Sequence, residues 1–225
     1  SQPPELSKKV KNGELPSLSE RLPEDPSVVN PINKVGKYGG TWNRLYGAGM
    51  TNFIMVNQGG KGLYKWDRES LSYVMPNIAK DWDWNEEGTE LTFYFKEGIK
   101  WSDGEPLTVD DFIFWWRDII LDDRLPFSPW EGTNPGGEPM EVEKIDDYTM
   151  KLKFAAPNPM FFTAFAHPGN YHSLIPAHYF KKFHPEYNSD INDNETNELV
   201  DRLNSCWWDL DQENIPTYRP WVLTE

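Results

Sequence analysis

His167, His172, His178 and His184, the four histidines of the sequence, fall within eighteen residues of one another. A zinc site wants ligands at tight helical spacing or cysteines beside them, and neither is present. The four therefore read as surface or core histidines, and no metal or cofactor is expected. Cys206 is the only cysteine, so no internal disulfide can form, and no base that would activate its thiol can be picked out. Glycine pairs at 39–40, 59–60 and 136–137 never take the spacing of a phosphate-cradling loop that opens a helix, so they read as turns.

The carboxylates lead to the same place. A glycosidase needs two carboxyl groups facing each other across the scissile bond, and nothing singles out such a pair among 36 acidic residues. Against 22 basic residues they leave a net charge of -14, which disfavours nucleic-acid backbones and anionic lipid as partners. Aromatic rings are abundant, at 15% of the chain, and rings both fill strand-rich cores and stack on flat ligands. Trp115 and Trp116 lie on the apolar face of a helical pattern and read as packing. Trp130 sits in a Pro- and Gly-rich stretch, where a ring is better placed to meet a ligand.

These residues need elements to hold them. Residues 1–36 read as an arm rich in Pro and charge, with one helix over Pro4–Lys11 and the remainder extended. Thr41–Tyr46 follows as a strand. Asp81–Trp84 and Leu91–Lys96 alternate apolar with polar residues around the turn Asn85-Glu86-Glu87-Gly88, a hairpin. Thr108 can cap a helix that carries Asp110 and Asp111 in its first turn and Phe112, Trp115, Trp116, Ile119 and Ile120 on one face. Residues 121–140 read as loop, and Tyr148, Met150, Leu152 and Phe154 mark another strand after a turn at Asp146-Asp147. Apolar stretches near 159–166 and 176–183 and a polar helix over about 195–208 complete the chain. This order is α+β, without the regular alternation of a parallel barrel or dinucleotide fold. No apolar run is long enough to cross a bilayer, and Ser1–Glu5 lacks a signal peptide's apolar region, so the chain is cytosolic or its signal has been removed.

The stretch GIKWSDGEPLTVDDFIFWW from Gly98 is similar to the segment that marks family 5 of the extracellular solute-binding proteins. PNIAKDWDWNEEGTELTFYFKEG from Pro76 resembles the hairpin that leads into it. KYGGTW from Lys37 resembles the family's first strand, and GELPSLSERLPEDPSVV from Gly13 resembles the arm of a long-armed subgroup. The Trp101-Ser102-Asp103-Gly104 step itself reads as structural, with Asp103 able to bond the turn backbone and Gly104 to relax it.

The resemblance implies a mixed sheet with hairpins and flanking helices, part of the first lobe of a two-lobe, class II periplasmic-binding-protein-like fold. Residues 1–36 would be the arm and 37–225 the partial lobe, with the second lobe absent. It implies capture and not catalysis, with oligopeptides as ligand and oligosaccharides as the alternative, delivered to an ABC permease in the membrane. It places the protein in the periplasm or on the outer face of the membrane, lipid-anchored or secreted after signal removal. By family position the loop after the first strand faces the cleft, which makes Asn52, Phe53 and Asn57 candidate contacts beside Trp130. A glycoside hydrolase and a non-binding scaffold are the readings from other classes.

Overall fold

The structure, a computed structural model, describes residues 2–26, 28, 33–34, 36–40, 62–66, 74–130, 132–165, 173–192, 196–207 and 215–218. The expected strand at 41–46, the loop with Asn52, Phe53 and Asn57, and His167 and His172 lie outside the described residues. In the arm, α1 (Pro4–Lys11) has Pro4 in its first turn, Glu5 at its positive end and Lys8, Lys9 and Lys11 at its negative end. The remainder is not all extended. Ser17 and Glu20 form a reciprocal capping box that starts α2 (Leu18–Arg21), with the Glu20 carboxylate accepting the Ser17 N–H at 2.8 Å.

Beyond α2 the arm lies against the body. The Glu24 N–H donates to the Glu97 carbonyl at 3.3 Å, and Lys96, only 6% exposed, donates to the Asp25 carbonyl at 3.1 Å. Gly98, at φ +80, backs so closely on the arm that a β-carbon there would stand 3.3 Å from the Pro23 Cα.

Two short strands, β1 (Tyr64–Trp66) and β2 (Val74–Pro76), pair antiparallel. The expected hairpin follows as β3 (Ala79–Trp84) and β4 (Glu90–Phe95), with Trp82 opposite Phe93 and Trp84 opposite Leu91. The Asn85 side-chain oxygen holds the turn by accepting the N–H groups of Thr89 and Glu90 at 2.8 and 2.9 Å.

Thr108 caps α3 (Val109–Phe114) as expected: its hydroxyl accepts the Asp110 N–H at 3.3 Å, while Asp111 accepts the Thr108 N–H at 3.0 Å. The helix then widens into a π-helical turn over Trp115–Ile120, where the Leu121 N–H reaches back five residues to the Trp116 carbonyl. A wider turn brings consecutive residues nearer to one side. Trp115 with Trp116 and Ile119 with Ile120 are accordingly all buried. Trp116 keeps a partner for its indole N–H, which donates to the Met140 carbonyl at 2.8 Å.

β5 (Glu141–Lys144) and β6 (Thr149–Lys153) close a four-stranded antiparallel sheet in the order β3-β4-β6-β5. Leu91 faces Leu152 and Phe93 faces Met150, so the two central strands present a fully buried apolar side, on which Trp82, Trp84 and Val142 are partly buried. The other side carries the ion pairs Lys151–Glu90 and Lys153–Glu143 at 3.0 and 2.9 Å. Then come α4 (Phe161–Phe165), α5 (Ala177–Phe180) with a 3-10 turn over Lys181–Phe183, and α6 (Asn197–Trp207). Phe161, Phe180, Leu199 and Leu203 complete the core between these helices, α3 and the sheet. The architecture is α+β, as expected.

Candidate functional site

The Trp101–Glu105 turn gathers distant parts of the chain. Trp101 Nε1 donates to Asp111 Oδ2 at 3.0 Å. The Ser102 N–H donates to the Thr217 carbonyl at 2.8 Å, and the Ser102 hydroxyl accepts the Thr217 N–H at 3.0 Å. Asp103 accepts the Glu105 N–H at 3.3 Å, the turn bond foreseen from sequence, and its other oxygen lies 2.7 Å from His178 Nε2. Gly104 relaxes the turn at φ +98, a backbone angle that side chains resist. The Trp101 ring meets Tyr218 edge-on at 5.1 Å.

Asp111 is the centre of this arrangement and is 4% exposed. Its Oδ1 accepts the Ala177 N–H at 3.0 Å, and its Oδ2 accepts the N–H groups of Trp101 and Thr108. Burial pushes its carboxyl up to about 6, against those three donors and the nearby His178. A carboxyl with such a value in an open cleft would be a general-acid candidate. Here both oxygens are taken and no solute can reach them, so its work is to tie three segments together. Partial burial pushes the Asp103 carboxyl up, but the bonds from His178 and the Glu105 N–H outweigh it and hold the group below its ordinary range.

Trp130 is half-buried, its ring edge-on to Trp115 at 5.8 Å and to Trp116 at 6.5 Å. One side of the ring therefore packs on the helix, leaving only the rest for contact. Of the two described histidines, His178 is half-exposed in its pair with Asp103, whereas His184 is buried. His184 Nδ1 accepts the Glu186 N–H at 3.2 Å, so the proton sits on Nε2, which donates to the Asp118 carbonyl at 2.8 Å. Among the described residues no group of three or more His, Cys, Asp or Glu is arranged to hold a metal ion.

Two open grooves were not foreseen. One, about 340 Å³, is lined by Lys80, Tyr94, Glu97, Asp146, Tyr148 and Thr149. The other, about 610 Å³, runs past Asp118, Asp122, Arg124, His184 and Tyr187. In the second the charges answer one another: Asp118 accepts the Tyr187 hydroxyl at 2.8 Å, and hydrogen bonds from Arg124 hold the Asp122 carboxyl low. Groups whose partners lie in separate segments leave no local signal in a sequence.

The family described as bacterial extracellular solute-binding proteins, family 5 Middle, matches residues 73–199, more than half of the chain. A periplasmic alpha-galactoside-binding protein of Rhizobium meliloti is 36% identical across 79% of this chain and 28% of its own length. The periplasmic oligopeptide-binding protein OppA of Escherichia coli is 30% identical across 48% of this chain and 22% of its own. Among solved structures, an oligopeptide-binding protein OppA superposes over the whole chain with TM-score 0.83 and 35% identity, and the chain covers 36% of it. The periplasmic binding protein MelB of Agrobacterium fabrum C58, solved in complex with stachyose, does so with TM-score 0.71 and 31% identity, and the chain covers 35% of it. The chain thus spans between about a fifth and about a third of the length of these relatives. Because the family's match takes in the hairpin, the capped helix and the strand that pairs with them, the chain belongs to the bacterial extracellular solute-binding proteins of family 5.

Proposed function

We propose that the chain is the amino-terminal part of the solute-binding component of an ABC importer, with residues 1–36 as its arm and 37–225 as part of its first lobe. It captures a short oligosaccharide and passes it to a membrane permease, import being driven by a separate ATPase. The observation that carries the saccharide reading is the reach of the alignments. Likeness to the alpha-galactoside-binding protein extends over 79% of the chain at 36% identity, against 48% at 30% for the curated oligopeptide-binding relative. The MelB structure, which covers the whole chain, holds stachyose. An oligopeptide is the second reading, favoured by the higher TM-score of 0.83 to the oligopeptide-binding structure.

The chain works by binding and not by catalysis, in keeping with its family, and Asp111, whose carboxyl is raised toward neutrality, is sealed in the core. Contacts to the solute come from Asn52, Phe53 and Asn57 and from the open part of the Trp130 ring, the rest of the site being supplied by a second lobe. The protein is placed in the periplasm or on the outer face of the membrane, by a lipid anchor or by secretion with signal removal, in keeping with relatives that are periplasmic. Titration calorimetry of the full-length protein with stachyose and with a pool of short peptides tests this. Heat with stachyose alone supports the first reading and heat with peptides alone the second. Silence with both refutes the pair.

A further inference from the structure

Thr133 and Asn158 are polar side chains sealed in the interior, the first fully buried and the second 5% exposed, and both serve the same short turn. The Thr133 hydroxyl accepts the Trp130 N–H at 3.0 Å and donates to the Trp130 carbonyl at 2.8 Å, which also accepts the Thr133 N–H at 2.7 Å. One residue thus holds both backbone groups of Trp130. The Asn158 amide donates to the Gly132 carbonyl at 3.0 Å, and its backbone N–H is rooted on the Gly88 carbonyl of the β3–β4 turn. From the other side the Thr133 carbonyl accepts the Met140 N–H at 2.8 Å, and the Met140 carbonyl accepts the Trp116 indole. The Trp130 ring itself is propped edge-on against Trp115 and Trp116 and stays partly exposed.

We propose that Trp130 is a fixed stacking platform for one pyranose ring of the solute, and that Thr133, braced by Asn158, is the positioning residue that fixes it. The proposal rests on the saccharide reading of the solute and adds how one of its rings is met. A pyranose shows C–H bonds on its flat sides, and these sit favourably on the electron-rich face of an indole. A ring whose backbone is already clamped and whose one side is already packed loses little freedom when the solute arrives. The approach to the ring, Leu125–Pro129, carries no charge, which suits a neutral solute better than a charged peptide end. A rigid platform also suits a rigid partner, whereas peptides of varied side chains call for a surface that can re-pack.

Titration calorimetry of the full-length protein with stachyose tests this through three substitutions. Trp130→Ala removes the platform and should weaken binding about tenfold. Thr133→Val keeps the side chain's shape without its hydroxyl and should weaken binding about threefold, and Thr133→Ser, which retains the hydroxyl, should restore it. Leu203→Ala, a cut in the core at α6, should lower the melting temperature at least as far as Thr133→Val and leave the affinity as it was. Two results overturn the proposal alone: stachyose held as tightly by Trp130→Ala as by its parent, or Thr133→Val losing melting temperature without affinity, as Leu203→Ala does. Should the unsubstituted protein not bind stachyose at all, the saccharide reading fails and the proposal with it.

Discussion

Replacing Asp111 by Asn removes a buried charge while keeping its shape, and its consequence depends on pH. The folded state holds the Asp111 proton up to about 6, whereas the unfolded chain releases it near the ordinary 3.8. Between those values the folded state binds more protons than the unfolded one, so stability falls as pH rises through the window. At 1.36 kcal/mol per pH unit the whole fall is roughly 3 kcal/mol. Asp111→Asn cannot titrate and lacks this fall. Its amide also meets the N–H groups of Ala177, Trp101 and Thr108 with one oxygen instead of two, so at least one buried donor goes unanswered, at a cost of about 1–3 kcal/mol.

The expected pattern is therefore a variant clearly weaker than its parent near pH 4, with a gap that narrows by roughly 3 kcal/mol toward pH 7. Asp103 and Asp122, both held below their ordinary range, lose stability as pH falls, but they do so in both proteins and largely cancel. Urea denaturation followed by tryptophan fluorescence across that range measures the gap directly. Parallel curves, with a constant gap, would refute the assignment of the raised carboxyl to Asp111.

Other substitutions probe separate joints. Trp116→Phe leaves the Met140 carbonyl without its donor and should cost about 1–3 kcal/mol in the same urea assay. Gly98→Ala puts a side chain at φ +80 and pushes on Pro23, so amide exchange at Glu24 should rise while exchange in β4 and β6 stays slow. His184→Ala takes the donor from the half-buried Asp118 carbonyl and empties a buried site, and should lower stability by about 1–3 kcal/mol, seen as a drop in melting temperature.

Where structure is made by neighbours in the chain, it could be read beforehand. Alternation around Asn85–Gly88 foretold β3 and β4, Thr108 with its following acids foretold the start of α3, and Tyr148–Phe154 foretold β6. β5 escaped because Glu-Val-Glu-Lys has a single apolar residue and draws its strand character from β6 beside it. α2 was legible in principle, since Ser17 and Glu20 stand at capping-box spacing, but Pro16 and Pro23 around it suggested an extended chain. The node at Asp111 could not be read at all. Its partner Ala177 is 66 positions away, and the Ser102 partner Thr217 is 115. Likewise Trp130 looked open in a loop, and half of its ring is claimed by a helix that sequence alone could not bring beside it.

The strand order has a consequence in time. β4 is flanked at once by β3, its hairpin partner, but its other neighbour, β6, lies beyond a helix and a long loop. During synthesis, at 5–20 residues per second, the gap from Leu91 to Leu152 lasts roughly 3–12 s. For that interval the nascent hairpin has an open edge of Leu91, Phe93 and Phe95, an inviting template for another copy of itself. Once β6 has emerged that edge is covered, and the charged outer strand β5 then seals the sheet against strangers.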